Sequence, residues 1–138
     1  MAMPFAMQNQ LALVGRILLA FLFIRYGFEK VTAFQGTVGY IAAKGLPMPA
    51  ILAVLATIVE LGGGILVAIG LMTGWAALAL AGFCVVTAFL FHPFWTLPEA
   101  QQYGEQISFY KDLALAGGLL IVAGFGAGAI SVDGRRRA

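Results

Sequence analysis

Charge is what this sequence has least of. Only 10% of its 138 residues are charged, against about 25% in soluble domains, while 62% are hydrophobic. A soluble core of this size cannot hide so much apolar side chain, so the excess must face lipid. Cysteine is nearly absent. Cys84 stands alone, which excludes an intramolecular disulfide, a Cys-x-x-Cys redox pair and a Cys/His metal set. The one histidine, His92, makes a poor metal site by itself. A long basic run is missing too. The net charge is +2, and much of the basic charge sits in Arg135, Arg136 and Arg137. That is too short for nucleic-acid binding and reads as a juxtamembrane cluster. Residues Met1 to Gln10 carry no positive charge, and the first apolar segment outruns a signal-peptide core, so no cleavable signal peptide is expected. The length leaves no room for a separate soluble catalytic domain.

What is present is four apolar stretches, at about residues 11–28, 50–72, 75–91 and 107–130. Each is near the roughly 20 residues a helical span needs. The expected fold is all-α: one transmembrane domain over residues 1–138, an integral membrane four-helix bundle with the lipid bilayer as its first partner. Gly45-Leu46-Pro47-Met48-Pro49 breaks the chain ahead of span two, as proline near a helix start does. Thr73-Gly74 reads as the turn between spans two and three. Pro93 to Gln106 forms a loop with Glu99 and Glu105 and no lysine or arginine. The arginine cluster places both termini in the cytoplasm; Lys30 and Lys44 in the first loop argue weakly the other way.

Spans two and four carry a shared pattern. Leu61-Gly62-Gly63-Gly64-Ile65-Leu66 and Leu115-Ala116-Gly117-Gly118-Leu119-Leu120 align, as do Ala20-Phe21-Leu22-Phe23 and Ala88-Phe89-Leu90-Phe91. Two helical hairpins in a parallel repeat would give this; so would chance in an alphabet of leucine, alanine and glycine. Gly63 with Gly70, and Gly117 with Gly124, are each seven apart, and Gly124 with Gly128 forms a G-x-x-x-G. These are the candidate helix-packing positions.

Ionisable residues inside a membrane are expensive and usually functional. Glu60 lies roughly 15 Å into span two at about 1.5 Å per residue. Arg25, Lys30, His92, Lys111 and Asp112 lie nearer the outer ends of their spans, and Arg16 lies on the inner half of span one. Arg16, Phe23, Gly27 and Lys30 share one helix face, with Arg25 nearly opposite. Two readings stand. In one, Glu60 is neutralised by Arg16, Arg25 or Lys111, and Asp112 by Arg25 or Lys111, as structural pairs. In the other, Arg25, Lys30, Glu60, His92, Lys111 and Asp112 form a polar pocket open to the outer leaflet. Its ligand would be a quinone, an anion or a lipid headgroup, or it would relay protons, with Arg16 a structural charge. No residue set marks a catalytic centre or a metal site. Tyr26, Phe28, Trp75, Trp95, Tyr103 and Tyr110 read as an interfacial belt.

Arg16, then Gly27 and Lys30, then Gly45-Leu46-Pro47, Glu60 with Gly63-Gly64, His92, and Lys111-Asp112-Leu113-Ala114-Leu115-Ala116-Gly117-Gly118 together resemble the DoxX family. The resemblance runs from about residue 11 to residue 134. It implies a four-span protein of the bacterial inner (cytoplasmic) membrane. The family takes its name from a subunit of an archaeal thiosulfate:quinone oxidoreductase, and some relatives are linked to oxidative-stress defence with soluble partner enzymes. The resemblance therefore implies an accessory membrane subunit of a redox system, with quinone as the cofactor to look for and a soluble or membrane redox partner; the two-hairpin repeat adds a homo-oligomer as a separate expectation. A small permease for an anion or weak acid, and a scaffold recruiting a soluble partner, are the alternatives.

Overall fold

The computed structural model describes residues 3–137. Helix α1 spans Phe5–Thr32, α2 Phe34–Ala43, α3 Pro49–Ile69, α4 Thr73–Phe91, α5 Glu99–Phe125 and α6 Val132–Arg137. No strand occurs among the described residues. Four helices, α1, α3, α4 and α5, are long and apolar enough to cross a membrane, so the fold is the expected all-α four-helix membrane bundle.

The boundaries moved for local reasons. The first loop holds a helix of its own, α2, separated from α1 only by a kink at Ala33. The turn after α3 sits at Gly70–Met72, not at Thr73-Gly74: Gly70 closes α3 at φ 72° and Thr73 already opens α4. Helix α5 begins eight residues earlier than expected. Pro98 sets its entry and Glu99 faces the positive end of its dipole. It ends at Phe125, because Gly126 takes φ 86°, a conformation favoured by glycine.

That early end corrects the glycine reading. Gly124 and Gly128 do not share a helix face, because Gly128 lies beyond the break at φ 79°. Gly117 and Gly124 meet nothing within 4 Å of an added Cβ, whereas Gly70, which ends α3, is packed so closely on the segment after α5 that an added Cβ would collide with Ser131. The close approaches between spans lie elsewhere. A Cβ on Gly27 would stand 2.7 Å from the Leu61 backbone nitrogen, and one on Gly64 3.1 Å from the Ile24 nitrogen. These two positions let α1 and α3 press together. Gly63 does face Leu80 of α4, at 3.0 Å. The closest pairings are α1 with α3 and α4 with α5, giving two hairpins of the same sense. Phe23, Val67, Ala77, Leu80 and Leu119 fill the seam between them.

The start of α1 meets the segment between α5 and α6 at one end of the bundle, where Asn9 accepts a hydrogen bond from the Ala129 N–H at 3.1 Å. We call this the terminal end, and the opposite end, with α2 and the 93–98 segment, the loop end.

Candidate functional site

The loop end carries a cavity of about 760 Å³ lined from all four spans and α2. Its walls are mostly apolar, with Leu22, Leu55, Val59, Phe83 and Leu115 among them. The polar groups come from few positions. Helix α1 contributes Lys30 and α3 contributes Glu60. Their side chains meet at 2.6 Å between Nζ and Oε2. Glu60 is only 5% exposed, and a buried carboxylate needs such a counter-charge. It sits on a single π turn, Ile58–Gly62, the kind of helix irregularity that gathers at functional sites. The contact is an ion pair by distance, yet Oε2 receives no hydrogen bond of good angle.

A second polar group spans α4 and α5. His92, just past the last residue of α4, has Nδ1 2.8 Å from Glu105 Oε2 and Nε2 4.0 Å from Asp112 Oδ2. Asp112 Oδ2 also accepts from the Thr87 hydroxyl at 3.1 Å. Lys111 lines the same space with no carboxylate within ion-pair distance among the described residues.

Helix α2 covers this end. The Tyr40 ring stacks on Phe91 with centroids 5.3 Å apart, and Lys44 Nζ donates to the Phe91 carbonyl at 3.1 Å. Burial pushes the Tyr40 phenol above its ordinary value, and Glu105 adds to that, so Tyr40 stays a neutral hydrogen-bonding group.

Of the six residues the sequence grouped, the structure brings five to the cavity: Lys30, Glu60, His92, Lys111 and Asp112. Arg25 is elsewhere. It points to the exposed side of α1 and pairs with Glu29 at 3.0 Å. The expected partners of the buried acids are corrected as well. Glu60 takes Lys30, not Arg16, Arg25 or Lys111, and Asp112 takes Thr87 and His92. Tyr26, placed in the interfacial belt, also lines the cavity.

Sequence reasoning missed Tyr40, Thr87 and Glu105 as members of the site. A signal existed for Glu105, which precedes Asp112 by seven residues and so shares its helix face. None existed for Tyr40, since α2 read as loop.

Arg16 is 3% exposed at the opposite end. It donates from Nε to the Ala68 carbonyl at 3.3 Å, from one terminal nitrogen to Ile130 at 3.0 Å, and from the other to Ala127. These are the carbonyl ends of α3 and the segment after α5, where a cation is favoured. Asp133 completes the closure. It accepts from the Met72 and Thr73 N–H groups at 3.0 and 2.9 Å and from the Thr73 hydroxyl at 2.7 Å. The Thr73 N–H first, then its hydroxyl and the Met72 N–H, hold the Asp133 carboxyl below its ordinary value.

The polar pair on α1 and α3, with glycines at the α1–α3 crossing and a histidine closing α4, forms one constellation. The sequence model of the DoxX family matches residues 11–93, which contain Lys30, Glu60 and His92. The chain belongs to the DoxX family. It is 36% identical over 125 residues to inner membrane protein YphA of Escherichia coli (strain K12), covering 91% of this chain and 89% of that one. It is 39% identical over 121 residues to inner membrane protein YqjF of the same strain, covering 88% of each. A more distant similarity, 26% over 135 residues, links it to the Surfeit locus protein 4 homolog of Drosophila melanogaster, with 94% of this chain and 42% of that protein covered. No solved structure matches. As a DoxX-family inner membrane protein, the chain carries no group of three or more His, Cys, Asp or Glu able to hold a metal ion among its described residues.

Proposed function

We propose that the loop-end cavity binds the ring of a quinone-class ligand and that the chain is an accessory membrane subunit of a redox system. The observation that carries this is the makeup of the cavity. Its volume lies in the range of small-molecule sites, about 300–1,000 Å³. Apolar walls suit a lipid-soluble ring and tail. A few polar groups at separate points suit the two oxygens at opposite ends of such a ring: Lys30 and Glu60 on one side of the bundle, His92, Lys111 and Asp112 on the other.

A free anion fits less well. Lys30 already contacts Glu60 and His92 contacts Glu105, so an anion would meet about as many carboxylates as cations. A through-path also has to part the terminal end, which Arg16 and Asp133 close with hydrogen bonds to backbone. This favours a binding site over a permease. We further propose that the terminal end faces the cytoplasm, since Arg135, Arg136 and Arg137 lie there together on α6. Electrons would come from a partner, because the chain holds no dithiol.

The test is purification in native lipid followed by solvent extraction and quinone quantification. The reading expects quinone at a substantial fraction of one per chain, reduced severalfold in Glu60→Gln. Wild-type protein carrying no more quinone than the surrounding lipid would contradict it.

A further inference from the structure

Most of the cavity's polar groups lie inside it, but one connected set leads out. Glu105 is 37% exposed at the loop end, while His92 and Asp112 are 25% and 20% exposed. The order Glu105, His92, Asp112 is thus an order of decreasing exposure, and Asp112 lines the cavity. The imidazole bridges two carboxylates, one on each nitrogen. The two contacts differ: 2.8 Å to Glu105 is a hydrogen bond, whereas 4.0 Å to Asp112 is not. That gap is what one bridging water or a ligand oxygen closes.

A structural histidine at a helix end needs only one partner. A second acid on the inner nitrogen, itself fixed by Thr87, is superfluous for holding α4 in place. Histidine is also the side chain that gains and loses a proton most readily near neutral pH.

We infer that Glu105, His92 and Asp112 form a proton-exchange line between water at the loop end and the cavity, so that ligand binding is coupled to proton uptake. This rests on the cavity reading above. The step balances. His92 Nδ1 takes a proton from the Glu105 carboxyl, which regains one from water. Nε2 releases its proton to Asp112 Oδ2, directly or through a water between them. One proton enters, one moves inward, and the ring resets by turning over. With ligand in place, the inward proton stays on Asp112 or on His92 Nε2 and is donated in a hydrogen bond to the ligand oxygen, so the occupied site holds one proton more than the empty one.

The charged and titratable groups around His92 are few. Helix α5 presents Glu105, Lys111 and Asp112, and Tyr40 and Lys44 come from α2 and just beyond it. The Lys30–Glu60 pair, with Glu29 and Tyr26 on α1, lines the same cavity, as does Cys84 on α4. Of the carboxylates among these, Glu105 and Asp112 approach the imidazole nitrogens within 4.0 Å.

The experiment is calorimetric titration of the full chain in lipid nanodiscs with a short-chain ubiquinone analogue, in two buffers of different ionisation heat. The difference gives protons taken up on binding. Wild type is expected to take up between about half and one proton, with Kd weakening by up to about tenfold per pH unit as pH rises. Glu105→Gln, outside the cavity lining, should bind within about tenfold of wild type with the uptake largely lost, and His92→Gln, which also removes a ligand contact, should bind more weakly with the uptake lost. A merely structural role would change affinity or Tm and leave the proton count alone. Binding without uptake, or uptake that survives both substitutions, overturns the relay and leaves the cavity reading standing. No binding at any pH overturns both. If His92→Gln does not fold, Glu105→Gln at the half-exposed position carries the test.

Discussion

A methyl group at Gly27 has nowhere to go. Its carbon would stand 2.7 Å from both the backbone nitrogen and the Cβ of Leu61, and backbone cannot swing aside. Gly27→Ala should therefore lower the Tm in detergent, by the equivalent of about 1–3 kcal/mol, the usual scale of overpacking. Gly117→Ala is the control, because nothing lies within 4 Å of its Cβ and alanine favours a helix by about 0.5–1 kcal/mol. A thermal-melt comparison of the two checks both signs. The contrast also marks how far the residues could be read in advance. Glycine spacing gives the helix face but not the neighbour, so Gly117 and Gly124 looked like packing positions. The decisive contacts at Gly27 and Gly64 depend on where α1 crosses α3. The charged residues were more legible. Glu60, His92, Lys111 and Asp112 were each conspicuous in apolar surroundings. The partner of Glu60 was not, since spacing along α1 put Lys30 on the inner face without saying which acid it meets.

Helix ends decide the terminal side of the molecule. Arg16 satisfies three carbonyls around the ends of α3 and α5, and its loss would strand them at roughly 1–3 kcal/mol each. Arg16→Ala should lower the detergent Tm more than Asp133→Asn, which keeps one acceptor oxygen at the start of α4 and loses the charge and the second. Asp133 adds a pH signature. Its folded-state carboxyl titrates below the ordinary value. Its contribution is therefore fully present above the unfolded value of about 3.9 and is lost as pH falls through the depressed folded value. The Tm gap between wild type and Asp133→Asn should hold at neutral pH and close on strong acidification, as melts across pH would record. None of this closure was visible as a motif. Asp133 lies 60 residues from Thr73 in sequence, and only the fold brings them together. Elements with strong apolar character were found readily, while α2, with its mixed Phe34–Ala43 sequence, was absorbed into a loop because its helical role depends on docking against α3 and on Phe91 of α4.

The whole molecule divides its polar groups by end. One end is tied through backbone carbonyls and a capping acid, and the other opens a cavity among apolar walls. If the terminal end faces the cytoplasm, reporter fusions after residue 137 should be active only as cytoplasmic reporters, and a tag in the 93–98 segment should be accessible from outside. The central claim concerns the cavity, and photolabelling tests it most directly. A photoreactive short-chain quinone analogue would be crosslinked to the protein in native lipid, and the labelled peptides mapped by mass spectrometry. The account predicts label on cavity-lining stretches around Tyr26–Lys30, Leu55–Glu60, Cys84–His92 and Ser108–Leu115, displaced by excess unlabelled analogue and weakened in Glu60→Gln. Label confined to outward positions such as Leu18, Phe21, Ile121 and Phe125, and undisplaced by competitor, would contradict it.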